Sequence, residues 1–347
     1  MKKYQIEKIL TVQSKRRFLL FALFAALLLI SAAVNIMAGT IDISFPELFK
    51  IIHTYDTATT SGFIVWKIRI PRTIAAVLGG AYLAVSGLLL QVFFRNPIVG
   101  PFILGISSGA TLIVSLVMLT TLSLGFTAIA PFLTTLSALA GAYAAMIVVL
   151  FIAAKVKNMI TLLIAGLMMG YLCHAVTSIL AAFAEQEKLK MFVLWQLGSF
   201  SGFKWNEIQI LFIFGGMILV LVYTLSKPLN AFLLGEAYAS TMGVNIRLFR
   251  FFIIFCSCAL AGMVTAAAGP VAFIGLAVPH MARLSFVTSD NRILIPGTLL
   301  LGAIITGVCD LVARLAFSPV ELPISSITAF FGAPIVISLL IKRRVSV

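Results

Sequence analysis

Apolar runs of about twenty residues, separated by short polar or charged stretches, recur from the beginning of the chain to its end. At ~1.5 Å of rise per residue, each run is long enough to cross the ~30 Å hydrocarbon core of a bilayer as a helix. The pattern predicts ten membrane spans, over residues 18–38, 73–94, 100–120, 124–153, 160–183, 206–226, 249–268, 271–287, 293–313 and 323–341. The first run, FLLFALFAALLLISAAVNIMAG, is too long for a signal-peptide core and lacks a cleavage site, so it is expected to stay as a membrane helix. That leaves residues 1–17 as a cytoplasmic N-terminal tail and 18–347 as one transmembrane domain. The fold class expected is all-α and polytopic.

Two stretches interrupt the helical pattern, RNPIVGPFILGISSGA (95–110) and AAAGPVAFIGLAVPHMARL (266–284). Each places Gly-Pro before apolar residues and a further glycine. Proline removes a backbone donor, and glycine permits unwinding or close helix approach. Inside a bilayer such backbone is tolerated only where protein or a water-filled cavity surrounds it. The two stretches follow the second and seventh spans, which suggests an internal repeat in inverted orientation, as in many transport proteins.

Composition agrees with a membrane protein: 61% of the 347 residues are hydrophobic, only 10% are charged, and the mean hydropathy is +1.14. A soluble chain of this length could not cover so much apolar surface. The formal charge of +14 does not point to nucleic acid, because Lys and Arg flank the apolar segments instead of forming a stripe. With the N-terminus in the cytoplasm, eight basic residues fall outside: Lys50, Lys67, Arg69, Arg72, Lys188, Lys190, Lys204 and Arg314. The other 17 of 25 fall inside, so both termini and the segment 227–248 are expected to be cytoplasmic. Cys173, Cys256, Cys258 and Cys309 lie within apolar runs, without CxxC spacing or a histidine cluster, and read as small buried side chains with no metal site. No GxxxxGK[ST] stretch is present to cradle a nucleotide phosphate, so energy for transport must come from a partner or an ion gradient.

Between two apolar runs, LLGEAYASTMGVNIRLFR (233–250) turns small, polar and glycine-punctuated. GEAYASTMG predicts two or three short helical turns, with Gly235 and Gly243 as stops. Its alanines and serines leave a nearly flat surface against which a cytoplasmic partner could press, and Glu236 is its one acid. On the outer side, Arg69 and Arg72 flank the proline of RIPR, and Arg314 lies four residues beyond Asp310. These arginines could snorkel to headgroups, pair with Asp310 and Glu321, or receive acidic residues of a partner, which their planar forks suit. Asp310 and Arg314, one helical turn apart, suggest an ion pair, with a proton-coupling carboxylate as the alternative. His280 and Arg283 are expected to stabilise the inner end of the eighth span, and His174 to pack within the fifth. In that fifth span Gly166, Met168, Met169, Gly170 and Tyr171 suit either small-residue helix packing or the lining of a pathway. MFVLWQLGSFSGFKW (191–205) predicts a short outer helix.

LNAFLLGEAYASTMGV resembles the cytoplasmic coupling loop of FecCD-type permeases, which serve bacterial ABC importers of iron-siderophores, haem and cobalamin. KIRIPRTIAAVLGGAYLAVSGLLLQ (67–91), FRNPIVGPFILGISSGA (94–110), LWQLGSFSG (194–202), GPVAFIGLAVPHMAR (269–283), DNRILIPG (290–297) and DLVARLAFSPVELPISSITAFFGAPIVISLL (310–340) are similar to the same family in order and spacing. Only residues 1–17 fall outside. The resemblance implies a permease subunit of the cell membrane that works as a dimer, with an identical or homologous second permease. It implies two ATPase subunits, which hold ATP and Mg, and an extracytoplasmic solute-binding protein. This chain would bind no cofactor. The loop at 227–248, through Leu234, Gly235, Glu236, Ala237, Ala239, Met242 and Gly243, would fit a cleft on the ATPase. Arg69, Arg72 and Arg314 match positions that face glutamates of the binding protein. The fifth span lines the pathway in this family. Ferric siderophore is the commonest cargo, with haem and cobalamin as alternatives. An ion-gradient-driven transporter would be a different class, and would normally carry several ionisable residues at mid-membrane, where this chain has almost none.

Overall fold

The computed structural model describes residues 2–39, 41–55, 57–120, 130–156 and 158–344, with side chains from residue 13 to residue 338 apart from 130 to 132. These residues form helices throughout, joined by short turns. In chain order they are α1 (Lys2–Met37), α2 (Phe45–Thr54), α3 (Thr60–Phe93), α4 (Ile106–Leu119), α5 (Ala130–Lys155), α6 (Met159–Ala182) and α7 (Gln186–Gln196). There follow α8 (Trp205–Thr224), α9 (Ser226–Leu233), α10 (Glu236–Thr241), α11 (Ile246–Ala268), α12 (Ile274–Phe286), α13 (Asn291–Leu315) and α14 (Ile324–Arg344). Seven of them, α1, α3, α5, α6, α8, α11 and α13, are long and apolar enough to cross a membrane. With the shorter α4, α12 and α14, each of the ten expected spans has its helix. Residues 124–129 of the fourth expected span lie outside the described residues.

Two helices sit at the centre. The apolar windows of α3 and α11 are 83% and 78% buried, against 11% in α1, 17% in α6 and 22% in α8. α3 and α11 cross through a reciprocal pair of hydrogen bonds. Ser86 Oγ donates to the Ser257 carbonyl (2.8 Å), and Ser257 Oγ donates to the Ser86 carbonyl (3.0 Å). The exchange relates the two helices by a local twofold. α3 packs along α13, and α11 packs along α5 in the corresponding way. Small residues make both seams possible: a Cβ on Gly80 would collide with Gly302 and Thr306, and one on Gly262 would press on Ala142. The units α3–α4–α5 and α11–α12–α13 are therefore two copies of one motif, as the paired Gly-Pro stretches predict.

Each copy contains a broken span. After α3 the chain turns back through a 3₁₀ turn at Pro101–Leu104, and α4 starts at Gly105, whose φ is +75°. After α11 the chain runs through Gly269 and Pro270, and α12 starts at Phe273, also left-handed with φ +64°. At 14 and 13 residues, α4 and α12 are about 20 Å long, short of the ~30 Å core. Their starts lie deep in the bundle: Gly275 abuts Gly87, the Leu83 carbonyl and the Pro101 ring, where any side chain would clash. The backbone freed at these breaks is thus enclosed by protein, as a low-dielectric surround requires.

α3 begins at Thr60, well before the expected start at 73, and passes through a π-helical turn at Val65–Arg69. α2, an amphipathic helix before it, buries Leu48 and Ile51 against Ile43 and Val65. α1 begins at Lys2, so the expected tail is the first part of that helix.

Candidate functional site

Two polar clusters lie at opposite ends of the bundle. At one end, α9 and α10 form a knob between α8 and α11. Gly235 joins them at φ +129°, ψ 150°, a conformation essentially confined to glycine. Gly243, at φ +83°, ends α10, and Asn245 caps α11 by accepting from the Leu248 amide (3.1 Å). The knob is tied to three spans. Phe232 stacks on Phe93 and packs tilted against Phe249, and Arg95 covers its ring while donating to its carbonyl (3.2 Å). Asn230 donates to Asp290 (2.6 Å) and accepts from the side chain of Asn291 (2.8 Å) at the start of α13. Arg250 of α11 clasps Glu236, with Nε at 2.8 Å and Nη2 at 2.5 Å from the same oxygen.

The predicted knob residues divide by this geometry. Ala239 is fully buried against α9 and holds the turn in place. Ala237 is exposed, and Leu234 and Met242 project at 70% and 64% exposure. Tyr238, which sequence reasoning passed over, lies between them at 46%. Tyr238 and Met242, four apart, share a side of α10 and its end, and Leu234 projects just before the break at Gly235, so the polar knob carries three exposed apolar side chains. Glu236, its side chain 36% exposed, pairs with Arg250.

At the other end, the three predicted arginines are built into the fold. Arg72 is 5% exposed and uses its whole fork: Nε and Nη2 grip the two oxygens of Asp310 (2.9 and 3.0 Å), and Nη1 donates to Glu321 (2.7 Å). Arg69, 4% exposed, donates to the carbonyls of Ile36 (2.9 Å), Met37 (2.7 Å) and Ile41, lying where a Cβ on Gly39 would be. Arg314 donates to the Asn35 carbonyl (2.7 Å), and its Nε is buried with no hydrogen-bond partner among the described residues. Of the alternatives open for these arginines, Arg72 takes the pairing with Asp310 and Glu321, and Arg69 caps the last carbonyls of α1. Glu321, its side chain 44% exposed, is the solvent-facing member of the cluster. Asp310 pairs with Arg72 across α3 and α13, not with Arg314 along its own helix.

The five pathway candidates on α6 also separate. Gly166 packs on Leu104, Gly170 lies beside Ser108, and Met169 reaches Gly105, so these three hold α6 against α4. Met168 and Tyr171 point away, 50% and 61% exposed, in an apolar strip with Ile164 and Leu172. One turn further on, His174 and Thr177 join Ser108, Thr111, Gln196 and Ser325 around a cavity of about 300 Å³. Its hydroxyl and amide lining carried no signal in a sequence read for charge and for methionine. Near the knob, Arg283 donates to Gln91 (2.6 Å), which donates in turn to the Leu276 carbonyl (3.0 Å), pinning α12 to α3. The four cysteines are free and buried.

A sequence profile of the FecCD transport family matches residues 27–342. The permease BtuC of the vitamin B12 import system from Salmonella paratyphi A is 37% identical over 280 residues, covering 80% of this chain and 83% of that protein. Its counterpart in Salmonella newport (strain SL254) is 36% identical over the same coverage. A solved chain described as an inward-facing conformation of an ABC transporter, assigned to the metal-chelate type, superposes with a TM-score of 0.82. It is 30% identical and covers 93% of this chain and 99% of its own.

Proposed function

The chain belongs to the FecCD transport family, and from this premise we propose that its cargo is a whole metal chelate, a ferric siderophore. A permease subunit of an ABC importer does not hydrolyse ATP itself; it works with separate ATPase subunits, a second permease and a binding protein. The observation that carries the coupling role is the knob: an apolar patch of Leu234, Tyr238 and Met242 on a turn cross-linked to α3, α11 and α13. A partner seated on this patch moves central helices directly, because no flexible linker intervenes. The basic residues concentrated at the knob end argue that this end faces the cytoplasm, with both termini.

A second reading of the cargo, cobalamin, is favoured by the identity to vitamin B12 permeases. At the arginine end, a carboxylate from the binding protein would reach Arg72 by exchanging with the exposed Glu321. The strip of Met168 and Tyr171 and the hydroxyl-lined cavity beside it face the route between two permeases.

The test is ATP-driven uptake by proteoliposomes holding the permease, its ATPase and its binding protein. They are offered a ferric trihydroxamate, a ferric tricatecholate and cyanocobalamin in turn. Accumulation of either ferric chelate supports the first reading, and accumulation of cyanocobalamin alone replaces it with the second.

A further inference from the structure

Arg250 does more than neutralise Glu236. Its Nη1 reaches the Val156 carbonyl at 3.4 Å, just beyond the end of α5, while Nε and Nη2 hold Glu236 at the first position of α10. One guanidinium thus joins three elements: the knob, the beginning of α11 and the end of α5. Around this junction lies a cavity of about 850 Å³, lined by Leu150 and Ala153 of α5, Ala237 and Ser240 of α10, and Phe251 of α11. Open space therefore separates much of α10 from the end of α5, where packed side chains would otherwise carry a displacement. The pair is partly exposed, with side-chain exposures of 18% for Arg250 and 36% for Glu236, so it acts by fixing geometry more than by charge attraction.

We infer that Arg250 is a positioning residue, a strut that makes α10, α11 and the end of α5 move as one body when the knob is displaced. The inference rests on the coupling role given above to the knob. Its mechanical part follows from the geometry: α5 and α11 pack along each other through the bundle, so a push on α10 delivered to both preserves their seam. Delivered to α11 alone, the same push would shear α11 against α5 at Gly262 and Ala142. The planar fork serves the two acceptors from separate nitrogens in fixed directions, whereas the single ammonium nitrogen of lysine, on a flexible stem, would have to reach both from one point.

The test places spin labels at Thr241→Cys on α10 and Ile147→Cys on α5, both exposed positions, and measures their distance distribution with and without the bound ATPase and ATP. In the parent the distribution is expected to be narrow and to keep its width when the ATPase closes. Arg250→Gln should broaden it at least two-fold. Arg250→Lys, which keeps the charge, should broaden it as well. In the reconstituted complex both variants should still assemble and hydrolyse ATP, with cargo moved per ATP falling about ten-fold, within the usual range of coupling between sites. A narrow distribution in Arg250→Gln, or full coupling in Arg250→Lys, would overturn the strut. If the parent complex moves no cargo with ATP, the functional reading fails, and the label distances alone still decide whether the strut exists.

Discussion

Replacing Gly235 by alanine isolates the backbone of the knob from its packing. The added methyl has room, because its nearest neighbour would be the end of the Arg95 fork at 3.8 Å. The whole penalty is conformational: φ +129° with ψ 150° is closed to L-residues, at a cost of about 1–3 kcal/mol. The chain will escape by rotating at Gly235, which swings α10 away from the ends of α3 and α11. At RT of about 0.6 kcal/mol, the native orientation then falls to between roughly one fifth and one part in 150, and the apparent affinity for the ATPase falls by the same factor. Global stability should change little, since α10 buries only Ala239 and the bundle lies elsewhere. The assay is co-purification and titration of the ATPase against the permease in detergent, with thermal unfolding of the permease alone as the control. Gly202→Ala, a positive-φ glycine with open space at the other end, is the matched substitution. A Gly235→Ala protein that binds the ATPase as tightly as the parent would refute the argument that backbone geometry sets the knob.

Three further outcomes follow from the packing. Arg72→Met strands Asp310 in the bundle and should cost about 3–5 kcal/mol in thermal or denaturant unfolding. The double variant Arg72→Met with Asp310→Leu should recover much of that loss, and additive losses would contradict the buried pair. Glu321→Gln should change stability by less than about 1 kcal/mol, because its side chain is 44% exposed. It should also tighten docking of the binding protein by freeing Arg72 Nη1; weaker docking would argue against the exchange. Gly87→Leu drives a side chain into the Gly275 backbone, and overpacking of this kind costs about 1–3 kcal/mol or more, so the variant should fail to give a monodisperse peak in size-exclusion chromatography.

The spans were legible because a bilayer imposes a length, which seven of the helices match, and because the shorter ones keep the same apolar composition. The broken spans were legible because Gly-Pro inside an apolar run has few other meanings. The knob could be read from Gly235 and Gly243, whose conformations only a residue without a Cβ adopts easily. Partners remote in sequence could not be read. Arg72 and Asp310 are 238 positions apart, and Arg69 finds carbonyls at the end of α1, so the sequence left open which of its alternatives each arginine takes. Their charge also hid the true start of α3 at Thr60, because charged residues near a boundary look like the boundary itself. Glu236 and Arg250 stand in the same short stretch, but on a continuous helix a separation of 14 would hold them about 21 Å apart, and only the turn at Gly243 brings them together. Tyr238 was overlooked among alanines and serines although its spacing of four from Met242 was visible.

The central claim is that force enters this permease through the knob and comes from a separate ATPase. The most direct measurement is cargo accumulation in proteoliposomes containing the permease and binding protein, with the ATPase subunit present or omitted, under imposed proton and sodium gradients. The account predicts accumulation only when the ATPase and ATP are both present, and its loss when Leu234, Tyr238 and Met242 are changed to aspartate. Accumulation driven by a gradient without the ATPase would contradict it.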